Sequence, residues 1–162
     1  MIGKMRPIRL VAMDVDGVLT DARIIYDGKG SEVKAFDAHD GFGMSRAIRC
    51  GLILAIISRR KSAAVTRRAQ ELGVREVYQG VQEKVVVYER LKQRHKLHDH
   101  EICYIGDDEP DVQLLQRSGL GVVPSDATDE ARKSADAVTR HSGGRGAVRE
   151  ILDSILRAKK LL

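Results

Sequence analysis

The sequence predicts an α/β domain around a central parallel sheet, and three observations carry that prediction. Short apolar runs recur at regular intervals, helical patterns separate them, and glycines fall where the helices should stop. The runs are Leu10 to Met13, Leu52 to Ile57, Glu76 to Tyr78, Ile102 to Ile105, Leu120 to Val123 and Ala137 to Thr139. Between them, stretches such as Ser62 to Leu72 and Val85 to Arg94 place apolar residues at i, i+3, i+4 and i+7, the spacing of one helix face. Gly51, Gly73 and Gly119 are expected as C-terminal helix caps. One segment breaks the alternation. Ile24 to Tyr26 and Glu32 to Phe36 read as two short strands joined by Asp27-Gly28-Lys29-Gly30, so a β-hairpin over about 23–36 should project beyond the first strand.

The 162 residues suit one domain, since domains commonly run to roughly 100–150 residues. With aromatics at 4% and no Trp, the core must be built from Val, Ile, Leu and Ala. No run reaches the ~18 apolar residues of a membrane span, and no signal-peptide stretch opens the chain, so a cytoplasmic protein is expected. The formal charge of +5 raises the question of nucleic acid, but basic residues are scattered among acids and no aromatic platform accompanies them. Cys50 and Cys103 lie in apolar segments and read as packing residues. His95, His98 and His100 read as solvated rather than zinc-binding. The segments 1–6 and 157–162 look loosely held.

Chemistry concentrates at the ends of the predicted strands. Asp14-Val15-Asp16-Gly17 follows the first run, which sets carboxylates at the carboxyl edge of a parallel sheet, where α/β proteins bind ligands. Gly106-Asp107-Asp108-Glu109-Pro110-Asp111 follows the fourth. Either cluster alone could be turn residues or acids complementing a helix dipole. Together they form an oxygen-rich site of the kind Mg²⁺ takes. Ser58 and Lys84 lie at neighbouring strand ends, where a hydroxyl and an ammonium could hold phosphate oxygens. Without the acids, a helix cap and a solvated lysine would be the simpler readings.

This order of motifs resembles the haloacid dehalogenase superfamily of phosphatases, in its capless subclass. Further features of the resemblance are Lys34-Ala35-Phe36 leading to Asp40-Gly41, Tyr78-Gln79-Gly80, and the segment from Gly143 to Glu150. The resemblance implies a Rossmann-like three-layer sandwich with a projecting hairpin and no cap domain. It implies Mg²⁺ held by Asp14, Asp16 and Asp107, with Asp14 as nucleophile and Asp16 as acid and base. Val15, Ser58, Lys84, Arg60 and Arg145 would contact phosphate or substrate, supported by Asp108 and Asp111. The implied substrate is a phosphorylated 2-keto sugar acid, an octulosonate 8-phosphate of lipopolysaccharide biosynthesis, with a nonulosonate 9-phosphate as the alternative. A homotetramer is implied, with hairpins associating and the glycine-rich tail and helix of about 142–160 reaching a site. A non-catalytic scaffold and a nucleic-acid-binding module are the readings from other classes. The chain departs from the family in one place: Arg59 stands between Ser58 and Arg60, where the family commonly has glycine.

Overall fold

The computed structural model describes residues 1–162. Its elements are α1 (Ile2–Met5), β1 (Leu10–Met13), β2 (Ile25–Tyr26), β3 (Glu32–Val33), α2 (Ala38–Arg49), β4 (Ile53–Ser58), α3 (Ala63–Leu72), β5 (Glu76–Gln79), α4 (Lys84–His95), β6 (Ile102–Ile105), α5 (Val112–Arg117), β7 (Leu120–Val123), α6 (Asp129–Ser134), β8 (Ala137–Val138) and α7 (Ala147–Ala158). Six strands pair in parallel in the order β5-β4-β1-β6-β7-β8. The chain steps outward from β1 to β5, then returns to β6 on the other side of β1. That reversal opens a crevice at the carboxyl ends of β1, β4 and β6.

Alternation along β1 shows why three layers form. Leu10 and Ala12 join a core with Tyr88 and Leu91 of α4 and Leu114 and Leu115 of α5. Val11 and Met13 face the other way, onto Met44 and Ala47 of α2 and Val148, Ile151, Leu152 and Ile155 of α7. The α7 residues recur at helical spacing and make one apolar stripe, and each full burial of such a side chain contributes about 1.5–3 kcal/mol. No helix is long and apolar enough to cross a membrane.

Several expectations shift. The second sheet strand runs one residue later than predicted and includes Ser58, because the Ile53 N–H, bonded to the Arg9 carbonyl at 2.9 Å, starts the ladder. Gly73 caps α3 with φ +79°, and Gly51 follows α2 with φ +89°. Gly119 is different: it has no left-handed backbone, and its need is space, since a Cβ there would lie 2.5 Å from the His100 Cα. The hairpin is shorter than its apolar pattern, with paired residues only at 25–26 and 32–33. Asp27 sets its turn by accepting from the N–H groups of Lys29 and Ser31, both at 2.8 Å. The ends of the described chain are tied together rather than loose: Met5 is buried in the core with Leu156, and Lys159 Nζ donates to the Arg6 carbonyl at 2.8 Å. Cys103 is buried in β6, and Cys50 ends α2. His95 Nε2 lies 2.9 Å from Glu76, while His98 and His100 stack on each other.

Candidate active site

The site grows from the place where β1 stops. The Asp14 N–H donates to the Ile105 carbonyl of β6 at 3.0 Å, the last rung before the chain leaves the sheet. The Asp14 carboxylate then accepts from the Val15 N–H at 2.7 Å and pairs with Lys84 Nζ at 2.6 Å. Gly17, at φ +83°, lets this loop touch the one after β6: a Cβ there would stand 1.9 Å from Asp107 Oδ2.

Asp111 organises the second loop. It is fully buried, and Oδ1 accepts from Lys84 Nζ at 2.7 Å and from the Tyr104 hydroxyl at 2.6 Å. Oδ2 accepts from the N–H of Asp107 at 3.1 Å and, more weakly, from that of Asp108 at 3.4 Å. With both oxygens committed, Asp111 holds Lys84 in place and shapes the turn that presents Asp107. Asp108 is exposed and caps the following 3₁₀ turn through the Glu109 N–H at 2.8 Å.

The charges are unbalanced. Carboxylate oxygens of Asp14, Asp107 and Asp111 lie within 4.8 Å of one another, and Lys84 is the cation among them. Burial, reinforced by Asp111, pushes the Asp14 carboxyl up to about 6 despite Lys84. Asp107 is pushed to about 8, first by burial and then by Asp111 and Asp14. Burial pulls the Lys84 ammonium down, but the two carboxylates outweigh it and leave it above the usual lysine range.

Asp16, on the rim of the same loop, pairs with Lys34, and the Arg60 guanidinium stands 3.8 Å away. The Lys34 side chain is 2% exposed and also meets Glu32 at 2.8 Å, and Glu32 in turn pairs with Arg60. Buried Ser58 ends β4, and its hydroxyl accepts from the Arg60 N–H at 3.3 Å. Asp14, Asp16, Ser58, Arg59, Arg60 and Asp107 all line an open cleft of about 340 Å³.

Of the residues anticipated from sequence, Asp14, Val15, Asp16, Ser58, Arg60, Lys84, Asp107, Asp108 and Asp111 are thus gathered at one sheet edge. Arg145 is not. It lines a separate cleft of about 380 Å³ with His39, Arg140, His141 and Arg149. The glycine-rich segment meets the Asp14 loop of its own chain through backbone instead: the Gly144 N–H donates to the Val18 carbonyl at 3.0 Å, and a Cβ on Gly143 would stand 1.9 Å from the Gly17 carbonyl oxygen. Buried Asp40 accepts from the N–H groups of Gly146 at 3.2 Å and Arg149 at 2.7 Å, capping α7 from another helix. Sequence reasoning also missed Glu32, Lys34 and Tyr104. Spacing by two in an extended run was the available sign for Glu32 and Lys34, since it puts both on one face.

A carboxylate cluster with one captive lysine, at the reversal point of a parallel sheet, is the layout of a phosphoryl-transfer hydrolase. The family model for haloacid dehalogenase-like hydrolases matches residues 51–152, and the chain belongs to that family. It is 39% identical over 159 residues to the 3-deoxy-D-manno-octulosonate 8-phosphate phosphatase KdsC of Escherichia coli (strain K12), covering 98% of this chain and 85% of that one. The crystal structure of 3-deoxy-D-manno-octulosonate 8-phosphate phosphatase from Moraxella catarrhalis, in complex with magnesium ion, phosphate ion and a KDO molecule, superposes with TM-score 0.96 at 40% identity, over 98% of this chain and 91% of that one. The phosphatase of the same name from Yersinia pestis matches with TM-score 0.97 at 39% identity, over 99% and 87%.

Proposed function

We propose that the protein hydrolyses 3-deoxy-D-manno-octulosonate 8-phosphate to the free sugar acid and phosphate, in the cytoplasm and as a step of lipopolysaccharide biosynthesis. The observation that carries this reading is Asp14 held at the end of β1 by Lys84, with Asp107 beside it, in a chain 40% identical to a phosphatase that binds magnesium, phosphate and the sugar acid. The test is phosphate release from this ester beside a panel of sugar phosphates, with Mg²⁺ and with chelator. A marked preference for a nonulosonate 9-phosphate would move the substrate, and silence on every ester would overturn the enzyme reading.

The donor set fits Mg²⁺. The oxygens are hard and carry more negative charge than Lys84 offsets, and burial, then Asp111 and Asp14, raises Asp107 to about 8. Asp14, Asp107 and the backbone carbonyl of Asp16 would hold the ion, since Asp111 is already spoken for by Lys84, Tyr104 and two amides. When bound, it neutralises the repulsion between carboxylate and phosphate monoester.

In the first step an Asp14 oxygen attacks phosphorus and the bond to the sugar oxygen breaks, with Asp16 giving that oxygen its proton. In the second, Asp16 takes a proton from water as the water attacks the aspartyl-phosphate, freeing Asp14 and phosphate. Lys84 and Ser58 would hold the non-bridging oxygens. The Val15 N–H is taken by Asp14, whereas the Asp16 N–H makes no bond within the chain and is free for a phosphoryl oxygen.

The metal-free protein should show this charge excess as a pH-dependent stability. Asp14 and Asp107 have folded-state pKa values above the usual range near 4, so between about 4 and 8 the folded chain holds protons that the unfolded chain has released. The stability they contribute is full at acid pH and lost as pH rises through about 6 and then about 8. In chelator at pH 8, Asp107→Asn is expected to melt about 3 °C or more above the parent, with the gain shrinking at pH 5. Mg²⁺ should raise the melting point of the parent more than that of the variant. Equal melting of both proteins at pH 8 in chelator would show that no such excess exists.

The hairpin exposes Ile24, Ile25, Tyr26 and Val33, and an isolated two-stranded hairpin is marginal in water. Packing of hairpins in a homotetramer would cover these side chains. Light scattering should then give about four times 17.9 kDa, and a monomeric mass would overturn the assembly.

A further inference from the structure

The cations around the cleft differ in whether they are already engaged. Lys84 is held by Asp14 and Asp111, Lys34 by Asp16 and Glu32, and Arg60 by Glu32. Lys61 turns away and lies over Gly80, where a Cβ would meet its side chain at 2.4 Å. Arg59 alone lines the cleft with no hydrogen bond or ion pair in the chain. It is exposed, at the boundary between the cleft of Asp14 and a neighbouring groove lined by Glu83, Glu109 and Gln113. Its backbone is not left-handed, so position 59 imposes no conformational demand that decides the residue.

A free guanidinium at this place suits a second anion on the substrate. The phosphoryl group has its partners deeper in, at Lys84, Ser58 and the Asp16 N–H. Arg59 follows Ser58 directly, so its long side chain starts beside the phosphoryl site and reaches the outer rim. Arg60, anticipated for the sugar acid, already has a carboxylate. We propose that Arg59 binds the substrate's carboxylate, the end of the sugar acid remote from phosphorus, and so selects acid phosphates over neutral ones. A planar guanidinium matches a carboxylate with two parallel N–H donors. This inference rests on the reading of the substrate as a 2-keto sugar acid phosphate.

The test compares kcat/KM for 3-deoxy-D-manno-octulosonate 8-phosphate with kcat/KM for p-nitrophenyl phosphate, which has no carboxylate. In Arg59→Gly the ratio of the two is expected to fall about tenfold or more, the scale of one charge-assisted hydrogen bond. Arg59→Lys, which keeps the charge without the fork, should fall between. A ratio in Arg59→Gly within about twofold of the parent, whether through no change or an equal loss on both substrates, overturns the carboxylate contact while leaving the enzyme reading intact. A parent protein that takes p-nitrophenyl phosphate and ignores the acid phosphate overturns the substrate reading and this contact together.

Discussion

Asp14→Asn is expected to lower phosphate release by a factor on the order of 10⁴ or more, since removing a nucleophile leaves only binding and charge stabilisation. The change is nearly isosteric and separates chemistry from folding. An asparagine oxygen can still accept from the Val15 N–H, and Lys84 keeps Asp111 as its partner. Removing one carboxylate from a cluster in which burial and mutual repulsion raise two pKa values should leave the metal-free protein at least as stable as before. Lost turnover with an undiminished melting point is the signature sought. Turnover within tenfold of the parent would show that phosphorus is attacked by something else.

Asp16→Ala should be the second-largest loss, on the order of 10² to 10⁴, but its size should depend on the leaving group. A sugar alkoxide needs a proton to depart, so the octulosonate ester should suffer in the first step. Nitrophenolate leaves without one, so with p-nitrophenyl phosphate the first step survives and the second stalls for lack of a base. A burst of about one nitrophenolate per active site, with the phosphoryl group found on the protein by mass spectrometry, is the expected result. Slow steady release without a burst would remove Asp16 from the second step.

The parts of this site most legible in sequence stand at or just past the end of a strand. Asp14, Ser58 and Asp107 are marked by the apolar runs before them, and parallel strands bring such ends together wherever they stand in the chain. Asp111 was read as a supporting residue, and its bonds to Lys84 and Tyr104 give that support a geometry. What escaped was side-chain pairing between segments without periodic signal. Nothing near Lys34 in sequence points to Asp16, because the two meet only after the hairpin folds over the loop. Arg145 stands outside the Asp14 cleft within the single chain, between glycines at φ +63° and +101°. The expected looseness at residues 1–6 failed because a four-residue helix has no visible face, yet Met5 still reaches the core.

The hairpin has two faces with unrelated surroundings. Ile25 and Val33 look outward, while Glu32 and Lys34 turn inward to the ion network around Asp16. In the proposed tetramer, quaternary contact and acid–base chemistry would fall on the same few residues of backbone. An edit meant to break that proposed assembly by reshaping this ribbon would also disturb the electrostatics of Asp16. A slow monomer made that way could not tell an assembly requirement from a misplaced lysine. Outward substitutions that keep Glu32 and Lys34 in register would separate the two.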